Sequence, residues 1–207
     1  MWIFVVLLMT VFSNTFTYAP DDKRELVYLQ LETTNGLYTP LKLYPTDTNK
    51  EEDFPEELGQ LSQHGKIQHY EFGKVLRDYY KDFITSSPTE VDAFSSAEDR
   101  STQSLLCLLA SLYAPSEEWE FFPGFHWQPI PVSYLDENDI FFRYPENCVT
   151  QLQEKLEQYN SFEWKMILEH DMFFYAFLGN IFSGAKMWTW RGSARLYDTV
   201  QKEKFLA

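Results

Sequence analysis

Leu26-Val27-Tyr28-Leu29-Gln30-Leu31, an apolar run, leads directly into the polar segment Glu32-Thr33-Thr34-Asn35-Gly36-Leu37-Tyr38-Thr39-Pro40. Residues 25–33 are rich in β-forming side chains and are apolar on both faces as far as Gln30. This pattern predicts a strand in the buried centre of a sheet that is covered by helices. Gly36 and Pro40 then predict a shaped loop at the end of that strand.

Two helices and a short strand are predicted between residues 59 and 113. The first helix opens at Gly59-Gln60-Leu61, and the strand covers Glu90–Phe94. Ser95 and Ser96 each begin a candidate capping box for the second helix, with an acidic residue three positions later. The apolar residues at helical spacing are Phe72, Val75 or Leu76, Tyr79 and Phe83 in the first helix, and Leu105, Leu106, Leu109, Leu112 and Tyr113 in the second.

The C-terminal part of the chain is predicted to be helical. The preceding segment, Trp127-Gln128-Pro129-Ile130-Pro131-Val132, must be extended, because each proline disfavours helix for the residue before it. From Val149 onward, a polar helix over Gln151–Tyr159 is followed by a broad aromatic stripe in Phe162–Phe182. A final helix lies around Leu196-Tyr197-Val200.

The order of these elements, β–loop–α–β–α and then a helical block, fits an α/β sandwich that carries a helical cap. We place the α/β part at residues 20–147 and the cap at residues 148–207. Two strands are marginal for a stable sheet, so the sandwich is expected to be incomplete.

Composition and charge exclude whole classes of partner. The 207 residues carry a formal net charge of −14, which would repel a polyanion such as a nucleic acid. Binding to an anionic membrane surface is disfavoured for the same reason. Apolar residues at 44% and charged residues at 23% are ordinary for a globular domain, whereas the aromatic share of 18% predicts a core dominated by large flat side chains.

Residues 1–19 have the features of a signal peptide. The apolar stretch over residues 2–12 is too short to span a bilayer, and Thr17 and Ala19 are small residues that suit cleavage after position 19. Only the amino terminus supplies positive charge before this stretch, so an uncleaved membrane anchor is the alternative. We expect a secreted protein with no membrane attachment after cleavage.

Five stretches, in the same order along the chain, resemble the histidine acid phosphatases, the family of prostatic and insect venom enzymes. The loop around Gly36 keeps the glycine and proline of that family's Arg-His-Gly-x-Arg-x-Pro motif. Gly59–Gly73 is similar to the family's first helix, and Trp127–Val132 is similar to its extended segment. Asn147-Cys148 and Leu196-Tyr197-Asp198-Thr199 are similar to markers before and within its cap. The resemblance implies a partial αβα sandwich with a helical cap, from which the C-terminal half of the family fold is missing.

The resemblance also implies which positions carry the family's chemistry. Its guanidinium groups clamp the phosphoryl oxygens, and a neutral imidazole attacks phosphorus to form a phosphohistidine. Asn35 stands at the position of that nucleophile. Thr34 and Tyr38 stand at the two clamp positions of the loop, and Phe94 stands at a third. Arg100 matches a family arginine that is not part of the clamp. A distant His-Asp proton donor has no counterpart, so we expect no catalytic residue, no cofactor and no metal site.

The two cysteines, Cys107 and Cys148, are expected to be free thiols. They could pair in a secreted chain. However, Cys107 lies on the apolar helix face Leu105–Leu109, where a buried thiol is favoured. In the resembling family, the counterpart of Cys148 pairs with a cysteine far downstream, in a region that this chain lacks.

Other polar residues have simpler interpretations. His170-Asp171 imitates a proton-donor pair, but it lies in a stretch similar to a cap helix, which favours a surface helix. His64 and His69 are five apart, which is not the spacing of a helical metal pair. The acidic residues between Glu51 and Glu57 fit a solvated loop, because the spacing of a calcium site is absent.

The aromatic residues of the C-terminal part are expected to form an ordinary core. A ligand groove and an exposed surface that invites association are the alternatives. The residues concerned are Phe173, Phe174, Phe177, Phe182, Trp188 and Trp190.

The sequence therefore predicts a secreted, acid phosphatase-like protein that is catalytically inactive. One alternative is a weak phosphatase that uses another residue or a supplementary chain. A second is a truncated gene product whose missing half once completed the sheet. The expected partner is a protein or small-molecule ligand of unknown identity, and a homodimer is a candidate state because family members pair and an exposed sheet edge encourages association.

Overall fold

The computed structural model describes residues 25–135, 148–182 and 189–206. The chain divides into two compact units, Met1–Glu32 and Thr33–Ala207. The predicted signal peptide lies outside the described residues, as do Asn147 and Trp188 of the segments singled out in the sequence.

The described part of the first unit, residues 25–32, contains neither helix nor strand. The prediction of a buried strand over residues 25–33 is therefore wrong, and the Val27 side chain is 82% exposed. A strand needs a hydrogen-bonded neighbour as well as β-forming side chains. Residues 25–33 form no ladder with any other described segment.

The second unit is mostly helical and carries a small parallel sheet. Short 3-10 turns lie at Glu51–Asp53 and Glu117–Trp119. The mixed α/β class predicted from the sequence is confirmed. The elements in chain order are α1 (Gln63–Tyr79), β1 (Ala93–Ser95), α2 (Asp99–Leu112), β2 (Val132–Tyr134), α3 (Val149–Asn160), α4 (Phe162–His170), α5 (Met172–Phe182) and α6 (Trp190–Leu206).

Strands β1 and β2 run parallel, with Ala93 opposite Val132 and Ser95 opposite Tyr134. Helix α2 lies between them in the chain, as expected because parallel strands need a crossover connection. The strand predicted over Glu90–Phe94 thus exists, although it begins only at Ala93. The segment before β2 contains no helix, as the prolines predict.

Helices α1 and α2 pack through small residues. The buried residues of α1 are Gly65, His69 and Gly73. A Cβ at Gly73 would collide with the Ser111 hydroxyl and the Leu108 carbonyl of α2. Glycine therefore brings the two helices close together, and the apolar periodicity of α1 pointed to the wrong face. The predicted stripe is exposed instead: Phe72, Val75, Tyr79 and Phe83.

The start of α1 is set by a side-chain cap. The Ser62 hydroxyl accepts a hydrogen bond from the Gly65 amide at 3.1 Å, so the helix begins at Gln63 and not at the predicted Gly59. Gly59 instead adopts a left-handed φ of 77° in the preceding turn, a conformation that glycine tolerates without strain.

The capping boxes predicted at Ser95 and Ser96 are wrong. Helix α2 begins at Asp99 with Glu98 as its N-cap, and no side chain closes that cap. Ser95 is the last residue of β1, and its hydroxyl donates to the Ser96 carbonyl at 3.0 Å. Ser95 therefore belongs to β1, and its hydroxyl does not cap α2.

Arg77 joins the end of α1 to the end of α2. Its guanidinium donates to the Leu112 carbonyl at 2.8 Å and to the Ser86 hydroxyl at 2.7 Å. The buried Gln128 amide donates to the Ser86 carbonyl at 2.7 Å and to the Tyr113 carbonyl at 2.9 Å. These bonds satisfy carbonyls at the C-terminus of α2 and fix the segment that leads to β2.

The helical block predicted after Val149 is confirmed, and its aromatic part is divided at Asp171 into α4 and α5. Tyr44 from a loop, Leu178 from α5 and Leu196 from α6 form a buried cluster. No described helix is long and apolar enough to cross a membrane.

Core packing of the C-terminal aromatic residues holds for Phe182, whose ring centroid lies 6.1 Å from that of Tyr44. It is wrong for Phe173, Phe174 and Phe177, which remain exposed on α5. The side chain of Trp190 lies outside the described part of the chain.

Gly73→Ala is expected to lower the free energy of unfolding by about 1–3 kcal/mol, because its Cβ overpacks α2 even though alanine is the better helix former. Chemical denaturation measures the change. The control is Lys74→Ala at the next, exposed position, which should change stability by only about 0.5 kcal/mol. Equal stability of the Gly73→Ala variant and the wild type would contradict glycine-mediated packing.

Candidate functional site

The motif loop, residues 34–40, is tied by its backbone to the N-terminus of α1. The Leu37 carbonyl accepts hydrogen bonds from the Ser62 amide at 3.0 Å and from the Ser62 hydroxyl at 2.8 Å. The Leu37 amide donates to Gln68 Oε1 at 3.0 Å. The path of the loop is therefore fixed by main-chain groups and by two polar side chains of the helix region.

Gly36 makes the close approach between the motif loop and α1. A Cβ at this position would lie 2.6 Å from the Gly65 carbonyl oxygen and 2.9 Å from the His69 ring. A Cβ at Gly65 would in turn collide with the Leu37 backbone. The Gly36 amide donates to the Ser104 hydroxyl of α2 at 3.0 Å. Neither position has room for a Cβ atom. Packing alone therefore explains why the motif has a glycine here.

Three of the four predicted site positions share the motif loop. Thr34 is exposed, and Asn35 is half-buried with its Nδ2 donating to the Gly36 carbonyl at 3.0 Å. Tyr38 is half-buried and pairs with Leu61 in an antiparallel bridge. The fourth, Phe94, lies in β1 with 54% of its surface exposed.

The Tyr38 ring carries two cations over it. The Arg100 guanidinium carbon lies 4.8 Å from the ring centroid, and the Lys202 ammonium lies 3.3 Å from it. Both distances are within the range of about 6 Å in which a ring attracts a cation. Arg100 comes from the first turn of α2 and Lys202 from α6, so the contact joins the loop to two helices. No motif surrounds Lys202, which is why sequence reasoning missed it.

Each of the two cations also has a carboxylate partner. Arg100 pairs with Glu98 at 2.5 Å, and Lys202 pairs with Asp198 one turn earlier on α6. Lys202 is 4% exposed, whereas both carboxylate side chains are about half exposed. The charges around Tyr38 are therefore balanced within the protein.

His69 is an imidazole that the structure places beside the motif loop. It is 6% exposed, and its buried Nδ1 has no hydrogen-bond partner among the described residues. Burial lowers the pKa of His69 below its usual value of 6.5, and a hydrogen bond with the Thr34 carbonyl partly offsets this. Its spacing of four residues from Gly65 and from Gly73 is the signal that could have placed it on the buried face.

His170 and Asp171 lie at the exposed end of α4, as the surface-helix interpretation predicted. The imidazole Nδ1 is 2.9 Å from the Asp171 carboxylate, and the His170 side chain is almost fully exposed. Their contact is local to one helix end.

Metal ligands and cysteines were the other candidate reactive groups among the described residues. No three side chains of His, Cys, Asp and Glu come together there as a metal site. Cys107 and Cys148 are free thiols, as predicted. Burial raises the pKa of the Cys107 thiol, and the nearby Lys66 opposes that shift.

A cavity of about 230 Å³ lies beside Thr39 of the motif loop. Its lining includes the carboxylates of Asp53, Glu56 and Glu203 but no lysine or arginine among the described residues. Burial raises the pKa of Glu203, and Asp47 raises it further. A cavity with this lining disfavours a doubly charged anion.

The fold and the loop define a mixed α/β protein with a motif loop seated on the first helix. Residues 12–172 match the family model of the histidine phosphatase superfamily (branch 2), and the chain belongs to that superfamily. The resemblance found in the sequence is confirmed.

Acid phosphatases are among the curated relatives. The chain is 37% identical to human lysosomal acid phosphatase over 121 residues, which is 58% of the chain and 29% of that protein. It is 32% identical to human prostatic acid phosphatase over 162 residues, or 76% of the chain and 42% of that protein. It is 40% identical to a venom acid phosphatase of Apis mellifera over 113 residues, or 52% and 29% respectively. The chain thus spans less than half the length of these relatives.

The buried His69 predicts a loss of stability at acidic pH. Its pKa is lower in the folded than in the unfolded protein, so the unfolded state binds more protons as the pH falls below about 6.5, and folding weakens. The slope from this one group is at most about 1.4 kcal/mol per pH unit. Denaturation curves between pH 4 and pH 8 measure it.

His69→Gln should remove this part of the pH dependence. The control is His64→Gln, which removes an exposed histidine from the same helix and keeps the contribution of His69. If His69→Gln had the same pH profile as the wild type, the burial account of His69 would be wrong.

Proposed function

We propose that this chain is a secreted, acid phosphatase-like protein that does not hydrolyse phosphomonoesters and that acts by binding a protein or small molecule. One observation carries the proposal: the motif loop keeps its backbone seat, but its side chains include neither a guanidinium nor an imidazole. The two cations that reach the loop are held by the Tyr38 ring and by carboxylates.

The chemistry of phosphoryl transfer supports this proposal. A phosphomonoester dianion must be clamped by positive groups, and a nucleophile must attack phosphorus in line with the leaving oxygen. The lone pair of the Asn35 amide nitrogen is delocalised into its own carbonyl, so it is not available for attack, and the nitrogen donates to the Gly36 carbonyl. Loss of a triad nucleophile costs on the order of a million-fold, and loss of an arginine finger costs roughly a thousand-fold or more in phosphoryl transfer.

A phosphatase that uses another residue is the second candidate function. His69 is the imidazole that favours it, because its ring lies against the motif loop and burial lowers its pKa, which favours the neutral form. Its Nδ1 is buried, however, and a nucleophile must reach the phosphorus of a bound substrate. Burial therefore favours a structural role for this histidine.

Secretion is supported by the signal-peptide features of residues 1–19. The relatives named lysosomal, prostatic and venom acid phosphatase are loosely in keeping with it. We further propose that the protein does not bind nucleic acid, because its net charge of −14 repels a polyanion.

The purified protein should release no more nitrophenol from para-nitrophenyl phosphate at about pH 5 than an unrelated secreted protein does, since the side chains of the motif loop offer no group for clamping or attack. Human prostatic acid phosphatase serves as the positive control. Turnover that is above background and is lost in the His69→Gln variant would establish the second candidate function instead.

Asn35→His combined with Thr34→Arg should not restore hydrolysis, because Tyr38 and Phe94 still occupy two of the clamp positions. Single-turnover assays with para-nitrophenyl phosphate measure the rate. The double variant Asn35→Gln with Thr34→Ser is the control for disturbance of the loop. Turnover by the Asn35→His/Thr34→Arg variant, but not by the control variant, would contradict the assignment of these residues to the family's catalytic positions.

A further inference from the structure

Three aromatic rings meet at the protein surface in the loop that precedes β2. The ring centroids of Phe121 and Phe125 are 5.9 Å apart, and the Trp127 centroid lies 6.4 Å from the first and 5.9 Å from the second. All three residues are exposed to solvent, from 37% for Trp127 to 62% for Phe121. We call residues 120–127 the aromatic loop, and none of them belongs to the motif loop.

Local contacts hold the aromatic loop in place. The His126 Nδ1 lies 3.2 Å from the Glu120 Oε1, so the two ends of the loop are joined. The Trp127 amide donates to the Phe125 carbonyl at 2.8 Å. The next residue, Gln128, is buried and donates to two carbonyls. The backbone that carries the rings is therefore fixed before a ligand arrives, which reduces the entropy that binding would cost.

The aromatic loop has negative charge nearby and no cation of its own. Ring faces attract a cation through the ring quadrupole. Residues 101–142 contain no lysine or arginine, whereas Glu118 and Glu120 lie at the start of the loop. Within the described part of the chain, the lysines and arginines that lie over a ring do so at Tyr38 and Tyr44. The complementary ligand is therefore a cation from outside the protein.

The arrangement of the three rings favours a compact, methylated cation. The interplanar angles are 87°, 75° and 58°, so no two rings form the flat platform on which a sugar ring would stack. A cation about 4.5 Å from each of two perpendicular ring faces requires centroids roughly 6 Å apart, as found here. A quaternary ammonium ion has no N–H group, so ring faces can replace its water, whereas a primary ammonium is strongly hydrated.

We infer that Phe121, Phe125 and Trp127 form a binding site for a small, soluble quaternary ammonium ion of the choline type, with the adjacent Glu120 adding negative charge. The inference rests on the binding role in the proposed function and supplies a ligand class for it. Hydrolysis of para-nitrophenyl phosphate by the wild type would refute the loss of catalysis and leave this site untouched. Failure to bind choline would leave the hydrolysis result unchanged, so the two failures are distinguishable.

Titration calorimetry with choline chloride at constant ionic strength tests the inference. The wild type should bind choline. It should bind 3,3-dimethylbutan-1-ol, the neutral alcohol of the same shape, at least about tenfold more weakly, because that alcohol offers the rings no charge.

Trp127→Ala should weaken choline binding at least about tenfold, and Trp127→Phe should weaken it less, because a ring remains. Phe122→Ala is the matched control, since Phe122 is exposed in the same loop and takes no part in the three ring contacts. Its affinity for choline should stay within about twofold of the wild-type value.

Four calorimetric results would overturn the inference. They are no choline binding by the wild type, binding of the alcohol as tight as that of choline, unchanged affinity in Trp127→Ala, and an equal loss in Phe122→Ala. If Trp127→Ala does not fold, NMR of the wild type decides. The N-methyl protons of bound choline should then show the upfield ring-current shift of a group held over aromatic faces, and the absence of that shift would contradict the site.

Two other occupants of the ring surface would also overturn the inference. A second copy of the chain would be shown by a wild-type dimer in sedimentation equilibrium that dissociates in Trp127→Ala, persists in Phe122→Ala and is unaffected by choline. A lipid surface would be shown by co-sedimentation with phosphatidylcholine vesicles in the absence of binding to free choline.

Discussion

The contact between the backbones of Gly36 and Gly65 is the constraint on which the rest of the candidate site depends. It lets the motif loop lie directly on the first turns of α1, where the cap residue Ser62 binds the Leu37 carbonyl. On its other side, the loop reaches the Ser104 hydroxyl of α2 through the Gly36 amide. Any side chain at either glycine would separate these three segments, because the space is already filled by main-chain atoms.

This way of holding the loop explains how a motif can keep its shape while its side chains change. The loop is positioned by carbonyl and amide groups, which every residue type provides. Arginine and histidine side chains contribute charge and reactivity. They are not needed to hold the backbone of the loop in place. The groups around Tyr38 add a second layer of contacts, since Arg100 and Lys202 are neutralised within the protein. The loop can therefore be stable without being catalytically active, and this is the physical basis of the proposed function.

The sequence predicted the parts of the fold that local rules control. Prolines kept the segment before β2 out of a helix, and helical periodicity identified the block after Val149. It failed where long-range packing decides. The β-forming run at residues 25–33 has no described partner strand, and the buried face of α1 consists of glycines that a search for apolar stripes ignores. Lys202 was missed because its role depends on α6 reaching the loop, which no local pattern encodes.

A crystal structure of the wild-type protein grown with orthovanadate tests the central claim most directly. We predict that the Gly36 amide stays on the Ser104 hydroxyl, that the Tyr38 ring stays over Lys202, and that no vanadate is bound at residues 34–38. Vanadate held there by protein side chains, with one of them in line for attack, would contradict the account.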